Sequence, residues 1–246
     1  MKNFRKFLAN TITGVKAGKF GPSEQHESKL RIVMGNTSCD VDSAIGALCL
    51  AYYYTVKSEN KEVWVPVINS PKKDFFCNLE IIQHLKDCNI TQDELYFYDE
   101  FKEQFPSHED IEEVALIDHN ILDVDQADLA PKVTRVIDHH VDSNAYKDQL
   151  KEKICYLIGS ACSLVALKVR DDEALFAEDL APADDGEANF AYLLGAAVVL
   201  DSYYFKEDLK DKKWTGQDTE AWEFLMKYAD VGHSYWEKLN TAKFDV

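Results

Sequence analysis

Short apolar segments that end in polar loops alternate with longer helical segments through the first half of the chain, and this alternation limits the fold most strongly. Strands that alternate with helices form parallel βαβ units. The sequence therefore predicts an α/β fold with a mostly parallel sheet flanked by helices. Ligands of such open sheets bind beyond the carboxyl ends of the strands. The predicted strands are residues 30–34, 63–68, 114–117 and 133–137, and helices are predicted over 44–56 and 75–85.

The second half of the chain is more helical. An apolar helix is predicted over 187–204, where Gly195, Ala196 and Ala197 indicate close packing on the sheet, and a final long helix is predicted over 215–239. The acidic segment 171–188 is predicted to be a solvated excursion between helices, with a metal-binding role as the alternative. Apolar surface on the last helix could favour a homodimer. The chain then divides into an N-terminal helix or extension (1–29), an α/β domain (30–210) and a short C-terminal helical segment (211–246).

Charge and cysteine content narrow the function. The net charge of −17, from 27 basic and 44 acidic residues, argues against a broad grip on a nucleic-acid duplex, which needs clustered Lys and Arg. An acidic protein that handles phosphate usually does so through metal ions. The six cysteines contain no CxxC pair, which argues against a structural zinc site or a disulfide framework and fits reduced thiols in the cytosol.

The N-terminal segment bears on localisation. Residues 1–23 contain basic but no acidic residues, a balance that a mitochondrial transit peptide shares. Phe4, Phe7 and Leu8 have helical spacing, however, and favour a first helix that packs on the domain. No apolar run approaches the roughly 20 residues that span a bilayer. We therefore expect a soluble, cytoplasmic chain with no membrane partner, and mitochondrial import is the alternative.

Acidic and histidine residues cluster where predicted strands end. A carboxylate buried at the end of an apolar strand is unfavourable unless it is paired or bound to a metal. Since the arrangement recurs, a shared cation site is the simplest explanation. The clusters are Asn36, Asp40 and Asp42 after the first strand, Asp118-His119-Asn120 and Asp138-His139-His140 after two others, and Asp201 late in an apolar helix.

The spacing favours two ions. Asp40 and Asp42 in one loop can face neighbouring ions that Asp118 bridges. Oxygen ligands with one imidazole suit Mn²⁺ or Mg²⁺, with Co²⁺ as a third candidate. A pair of ions about 3.5 to 4 Å apart can activate water and polarise a phosphoryl oxygen for in-line attack. Each cluster has a structural alternative: Asp40 or Asp42 could cap the following helix, His119 could be a structural histidine, and residues 138–140 could form an ordinary turn.

Four segments resemble the motifs of the DHH phosphoesterases, and the exopolyphosphatase and prune branch is the most similar. They are GNTSCDVDS (35–43), LIDHN (116–120), VIDHHVD (136–142) and LLGAAVVLDSYY (193–204), and GSACSLVA (159–166) also resembles this superfamily. Asn36 stands where the related manganese-dependent inorganic pyrophosphatases carry His. The resemblance implies that residues 30–210 are the catalytic domain and that 211–246 is a helical linker or the start of a truncated second domain.

The resemblance also implies a role for each site residue. Asp40 and Asp118 would bind the first ion, with Asn36 as a weak ligand or phosphate contact, and the second ion would be bound by Asp42, Asp118, His139 and Asp201. His140 would contact the phosphate and act as general acid, Asp138 would orient a histidine, and His119 and Asn120 would lie behind the ligands or on the substrate side. The catalytic candidates are therefore His140, Asp118 and His119, and the substrate-binding candidates are Asn36, Asn120 and His140.

These expectations describe a two-metal hydrolase that cleaves phosphoanhydride bonds of short-chain inorganic polyphosphate. The alternatives are a nucleotide or cyclic-nucleotide phosphoesterase, for which 203–205 could supply a stacking surface, and a non-catalytic, prune-like regulatory protein. Relatives of this kind normally continue into a second domain that supplies cations to the substrate, and its expected absence here leaves other cations as candidates. Those are Lys72, Lys73, Arg135 and Lys206.

Overall fold

The fold is built on one sheet of five strands, all of them parallel, which confirms the predicted α/β class. The computed structural model describes residues 2–19, 29–181 and 188–244. The strand order is β2-β1-β3-β4-β5. The strands are β1 Leu30–Met34, β2 Trp64–Val67, β3 Ile111–Ile117, β4 Val133–Asp138 and β5 Glu152–Cys155.

Helices cover both faces of the sheet. A larger core on one face includes α2, α6 and α8, and a smaller one on the other face joins strand side chains to residues of α1 and α5. The helices are α1 Lys2–Lys16, α2 Val41–Lys57, α3 Lys72–Phe75, α4 Leu79–Asp87, α5 Tyr98–Gln104, α6 Ala161–Asp171, α7 Glu173–Leu180, α8 Phe190–Asp201, α9 Gly216–Leu225 and α10 His233–Phe244. None of the helices in the described ranges combines the length and the apolar character needed to cross a bilayer.

The strand register brings the predicted clusters together. Met34 of β1 pairs with Leu116 of β3, and Ile117 of β3 pairs with Ile137 of β4. The residues that follow these positions therefore leave the sheet side by side. The sheet order also places β2 and β3 on opposite sides of β1, so that the direction of the strand order reverses beside β1. Such a switch point opens a crevice at the carboxyl ends of the strands.

Four predictions about individual elements are wrong. The segment 171–188 is not a solvated excursion throughout, because α7 lies within it and buries Phe176 and Leu180; residues 182–187 lie outside the described residues. The helix over 75–85 is two helices, α3 and α4. The final helix over 215–239 is likewise two, α9 and α10. A Cβ atom on Gly195 would meet Val231 and Met226, so α8 packs closely on the segment after α9 and not on the sheet.

The two terminal helical segments pack on the domain. In α1, Phe4 and Leu8 are buried, as their helical spacing predicts. In α10, Trp236 and Leu239 are buried, so this apolar surface faces the domain instead of solvent. The surface that was expected to favour a homodimer is therefore largely covered by the chain itself, and the homodimer stays a prediction.

Candidate metal centre

The loop between β1 and α2 is held close to the first turn of α2. A Cβ atom on Gly35 would lie 2.2 Å from Ser43 Oγ and 2.7 Å from Ser43 O, so only glycine fits there. The Ser43 hydroxyl accepts a hydrogen bond from the Asn36 amide nitrogen at 2.7 Å. These contacts fix the turn that carries Asp40 and the first turn of α2, which carries Asp42.

Neither Asp40 nor Asp42 caps α2 with its carboxylate. Asp40 stands at the N-cap position but its side chain makes no capping bond, and its buried Oδ1 has no hydrogen-bond partner. Asp42 is only 2% exposed, and its Oδ2 accepts a hydrogen bond from Ala161 N of α6 at 2.9 Å. The structure therefore does not support the alternative reading of these residues as helix caps.

Asp118 lies at the centre of the cluster in a left-handed conformation, with φ of 64°. Its amide donates to Ile137 O at 3.0 Å, and its Oδ2 accepts from Asn36 Nδ2 at 2.6 Å. The other oxygen, Oδ1, is buried and has no hydrogen bond, although His139 Nε2 lies 3.0 Å away. A non-glycine residue rarely adopts positive φ, and such strain concentrates at functional sites.

The DHH segment orients its two histidines differently. Ile158 O lies 3.0 Å from His139 Nδ1, and because a carbonyl only accepts, Nδ1 carries the proton. Nε2 lies 3.0 Å from Asp118 Oδ1 and 3.5 Å from Asp42 Oδ2, so that an ion bound between these carboxylates would meet this nitrogen. Burial opposes ionisation of the ring, but the Asp42 charge outweighs it and raises the pKa of His139. His140 is more exposed, and its Nδ1 lies 2.9 Å from Asp138 Oδ1. A backbone carbonyl or carboxylate behind the ring is the usual support of a metal-binding or proton-transferring histidine.

Asp201 reaches the cluster from the end of α8. Ser160 Oγ donates to Asp201 Oδ2 at 2.8 Å and lies 3.4 Å from Asp42 Oδ2, so that the hydroxyl holds the two carboxylates together. Ser160 also caps α6 by accepting from Cys162 N at 3.2 Å. The apolar character of α8 is what brings Asp201 here, because its last turn is buried beside α6.

Burial and mutual repulsion raise the pKa values of these carboxyl groups and so disfavour their ionised forms. Burial, reinforced by Asp42 and Asp40, raises the pKa of Asp118 to about 10. Burial and the Asp40 charge raise the pKa of Asp42 to about 6. Burial and Asp42 also raise the pKa of Asp201 well above its ordinary value. Several carboxylates that share a desolvated site require either protons or cations.

The donor set fits divalent cations. Atoms of Asp40, Asp42 and Asp118 lie within 4.8 Å of one another, and so do atoms of Asp118, His139 and His140. The two groups share Asp118. Buried Oδ1 atoms of Asp40 and Asp118 without hydrogen bonds would be satisfied by an ion, and carboxylate oxygens with an imidazole suit Mn²⁺ or Mg²⁺.

The other predicted site residues, His119 and Asn120, form hydrogen bonds next to the cluster. His119 Nδ1 lies 2.9 Å from Ile117 O, and burial lowers the pKa of its ring. Asn120 donates to Asp138 Oδ2 and to Val141 O at 3.1 Å. Neither His119 nor Asn120 lines the cleft described below. The roles of these residues in catalysis or substrate binding stay predictions.

A cleft of about 570 Å³ opens over the cluster. It is lined by the acidic cluster with Asn36 and both histidines, and also by the loop 211–215 and the end of α10. Lys212, Lys213 and Lys243 belong to this lining. None of the cations proposed from the sequence does so. Arg135, for example, lies in a separate cavity beside Tyr54 and Trp64.

The aromatic segment 203–205 contributes one residue to the cleft. Tyr203 lines it and is 36% exposed. Tyr204 packs against Trp222 and Trp236, and Phe205 packs against Trp214 and Trp222. Two of the three rings are therefore packing residues.

Several known proteins resemble this chain over most of its length. Rat exopolyphosphatase PRUNE1 is 27% identical over 90% of the chain and 47% of its own length. Cattle exopolyphosphatase PRUNE1 is 28% identical over 97% of the chain and 50% of its own length. The chain thus spans about half the length of the curated relatives it matches. A Methanococcus jannaschii crystal structure, provisionally assigned as a family II inorganic pyrophosphatase, shares the fold with a TM-score of 0.60 at 21% identity, over 87% of this chain and 61% of that one.

A sequence model of a protein family matches most of the chain and shows which family it belongs to. The model described as the DHH family, N-terminal domain, matches residues 31–192, which include all but the first residue of β1, all of β2 to β5 and the three strand-end clusters. The resemblance to the DHH phosphoesterases and to their exopolyphosphatase and prune branch is confirmed by these matches. The chain belongs to the DHH family.

Proposed function

We propose that the chain is a metal-dependent phosphohydrolase that cleaves phosphoanhydride bonds of short-chain inorganic polyphosphate, in the manner of an exopolyphosphatase. The observation that carries this proposal is the convergence of buried carboxylates on a cleft in which two oxygens, Asp40 Oδ1 and Asp118 Oδ1, have no hydrogen-bond partner. A polar cluster with such unsatisfied atoms is unfavourable for folding alone. The names of the similar proteins, exopolyphosphatase and pyrophosphatase, support the same chemistry.

Two groups of side chains would hold the ions. Asp40 and Asp118 would bind one ion, and Asp42, Asp118, His139 and Asp201 would bind the other. Bound divalent cations would supply Lewis-acid polarisation of a phosphoryl oxygen and would lower the pKa of water. Asn36 would act on these ligands indirectly, because its amide is already engaged by Asp118, Ser38 and Cys39.

His140 is suited to hold and transfer a proton. Its Nδ1 is bound to Asp138, and this hydrogen bond raises the pKa of the ring. The ring is 57% exposed at the mouth of the cleft, which leaves Nε2 free to donate toward the leaving phosphate oxygen. A general acid works best with a pKa near the working pH. Asp138 stays ionised for this task because hydrogen bonds from His140 and Asn120 outweigh its burial and lower its pKa.

A nucleotide or cyclic-nucleotide phosphoesterase is the second candidate, and the exposure of Tyr203 in the cleft is the observation that favours it. A ring at this position could stack on a base. Because Tyr204 and Phe205 pack against tryptophans, Tyr203 is the one ring of the segment 203–205 that is left for this purpose, and inorganic polyphosphate is preferred.

The test is phosphate release from tripolyphosphate, pyrophosphate and a cyclic nucleotide in the presence of Mn²⁺ or Mg²⁺. Wild type is compared with Asp118→Asn and with the matched control Asp148→Asn, which removes an exposed carboxylate that does not line the cleft. We expect metal-dependent hydrolysis of the inorganic substrates, a loss of at least about 100-fold in Asp118→Asn, and no change in the control.

Three outcomes would contradict parts of the proposal. Turnover of the cyclic nucleotide alone would favour the second candidate. Equal activity of wild type and Asp118→Asn would exclude the proposed site. An absence of turnover on every substrate, in a folded protein that binds metal, would favour a non-catalytic, prune-like binding protein.

A further inference from the structure

The connection between β5 and α6, residues 156–160, contacts the candidate metal centre without supplying a predicted ligand. Ile158 O lies 3.0 Å from His139 Nδ1, and the buried Ser160 donates from its Oγ to Asp201 Oδ2 at 2.8 Å. One of these groups orients an imidazole and the other orients a carboxylate. The path of the connection therefore sets the geometry of two candidate ligands.

Gly159, in the middle of this connection, lies directly against the loop that precedes α9. A Cβ atom on Gly159 would lie 2.3 Å from Lys213 O and 3.2 Å from Trp214 Cα. Because both are backbone atoms, a change of rotamer could not make room for a larger residue. The two segments are thus in backbone contact, although they are distant in the sequence.

One buried side chain is bound to both segments. Asp218, in the first turn of α9, has 0% of its surface exposed. Its Oδ2 accepts hydrogen bonds from Gly159 N and from Thr215 N, each at 2.8 Å, and its Oδ1 accepts one from Ser163 Oγ of α6 at 2.7 Å. Among the residues that the structure describes, no basic side chain forms an ion pair with Asp218. Hydrogen bonds from three separate segments therefore hold this carboxylate.

The start of α9 explains only part of this arrangement. Thr215 and Asp218 form a capping box, which is a common way to begin a helix. A capping box does not require the bonds to Gly159 and Ser163, which lie outside α9. A buried carboxylate without a paired cation is also unfavourable for stability. The bond to Gly159 is the one that reaches toward the centre, since Gly159 lies between the two residues of the connection that contact candidate ligands.

We propose that Asp218 is a positioning residue of the candidate metal centre, because its hydrogen bond from Gly159 N fixes the connection that orients His139 and Asp201. This inference rests on the proposed function. Asp218 does not line the cleft, so it would act on the reaction only through those ligands. The connection would keep the imidazole proton on Nδ1, which leaves Nε2 for an ion, and it would hold the Asp201 carboxylate in place.

This role depends on the shape of the side chain and not on its charge. In Asp218→Asn, the side-chain oxygen can accept from Gly159 N and Thr215 N, while Nδ2 donates to Ser163 Oγ, because a hydroxyl can either donate or accept. Asp218→Ala removes all of these bonds. Asparagine should therefore restore what alanine loses.

The experiment measures Mn²⁺ affinity by isothermal titration calorimetry and Tm without metal in Asp218→Ala, Asp218→Asn and a matched control. The control is Asp179→Ala, which removes another buried carboxylate that does not line the cleft and that accepts hydrogen bonds from Asn3 N, Phe4 N and Tyr52 OH. We expect Asp218→Ala to weaken Mn²⁺ binding at least about tenfold. Asp218→Asn and Asp179→Ala should stay within about threefold of wild type, although Asp179→Ala also lowers Tm.

Turnover adds a second readout. At saturating Mn²⁺, Asp218→Ala should lower kcat for tripolyphosphate at least about tenfold and change KM about twofold or less, since Asp218 does not line the cleft. A side chain with only a structural role would leave both values of the folded variant near those of wild type.

Three results would overturn the inference: unchanged Mn²⁺ affinity in Asp218→Ala, equal losses in Asp218→Ala and Asp179→Ala, or no recovery in Asp218→Asn. If Asp218→Ala does not fold, the milder Ser163→Ala decides, because it removes one hydrogen bond from the same carboxylate. A loss of Mn²⁺ affinity of about threefold or more in Ser163→Ala would support the positioning role, and unchanged affinity would refute it.

The measurements also separate this inference from the proposed function. If wild type binds Mn²⁺ but hydrolyses none of the substrates, the proposed function fails, and the comparison of Mn²⁺ affinities still decides the positioning role. A wild type that binds no Mn²⁺ would refute both.

Discussion

At the scale of single residues, Asp118 is the side chain that both groups of candidate ligands share. It carries positive φ, shares its carboxylate with two possible ion positions and receives hydrogen bonds from Asn36. Because burial and the neighbouring Asp42 and Asp40 raise its pKa to about 10, its neutral form is favoured in the metal-free fold. The residue is therefore placed for ligand binding at the expense of stability.

We predict that Asp118→Asn stabilises the metal-free protein at pH 7. The unfolded carboxyl titrates near its ordinary pKa, so folding at pH 7 requires uptake of a proton, which lowers the free energy of unfolding of wild type. Asparagine removes this effect, and the variant should be more stable by at least about 1 kcal/mol, an advantage that disappears below about pH 4. Urea unfolding with EDTA at pH 7 and pH 4 measures it, with Asp148→Asn as control. A variant less stable than wild type at pH 7 would contradict the prediction.

The acidic and histidine residues of the candidate metal centre could be predicted from the sequence, but the lysines that line the cleft could not. Asp118, Asp138 and His139 directly follow apolar strands, and parallel strands bring their carboxyl ends to one edge, so periodicity alone places them together. Lys243 reaches the cleft only through the docking of α10 by Tyr235 and Trp236. No local pattern encodes such a long-range contact, although the run Lys212-Lys213 before a tryptophan was a visible signal.

At the scale of secondary-structure elements, the differences between the predicted and the observed strands and helices have physical causes. β5 was missed because its four residues, two of them charged, form a half-exposed edge strand without the apolar run of a buried one. α7 was taken for a solvated excursion because its acidic residues hide Phe176 and Leu180, which face the core. The break between α9 and α10 falls at residues 226–232, where Gly232 ends the apolar periodicity. Tertiary packing decided the cases of β5 and α7, whereas the break before α10 is a local feature of the sequence.

The β1–α2 turn is the element on which the site depends most directly. We predict that Gly35→Ala lowers the free energy of unfolding by about 1 to 3 kcal/mol, because the new Cβ would overlap Ser43 Oγ and the Ser43 carbonyl oxygen, which cannot move without shifting α2. Since Asp40 directly precedes α2 and Asp42 lies in its first turn, Mn²⁺ affinity should fall at least about tenfold. Urea unfolding and isothermal titration calorimetry measure the two effects.

Gly216→Ala is the control for this substitution. A Cβ atom at Gly216 meets nothing within 4 Å, and the position is the first residue of α9. The control should therefore leave both stability and Mn²⁺ affinity within experimental error of wild type or be slightly stabilising. Similar losses in the two variants would mean that the close approach at Ser43 does not constrain the site.

At the scale of the whole molecule, the centre joins elements that are distant in sequence. Its ligand candidates come from the β1–α2 turn, the ends of β3 and β4, and the end of α8. The sheet order places these elements around the switch point beside β1. An ion bound to several of them at once stabilises the folded state, because the unfolded chain cannot offer the same set.

Metal stabilisation of the whole fold should therefore increase with pH. Asp42, Asp118 and Asp201 all have raised pKa values in the metal-free fold, chiefly through burial, and a ligand must lose its proton before it binds an ion. Release of one proton per ion strengthens binding about 100-fold between pH 6 and pH 8, or about 2.7 kcal/mol. At fixed Mn²⁺, the rise in Tm over an EDTA sample should then be roughly 5 to 10 °C larger at pH 8 than at pH 6. Differential scanning fluorimetry measures this difference, and Asp118→Asn should abolish most of it. A rise in Tm that is the same at both pH values would show that the carboxyl groups are already ionised without metal, contrary to the electrostatics of the buried cluster.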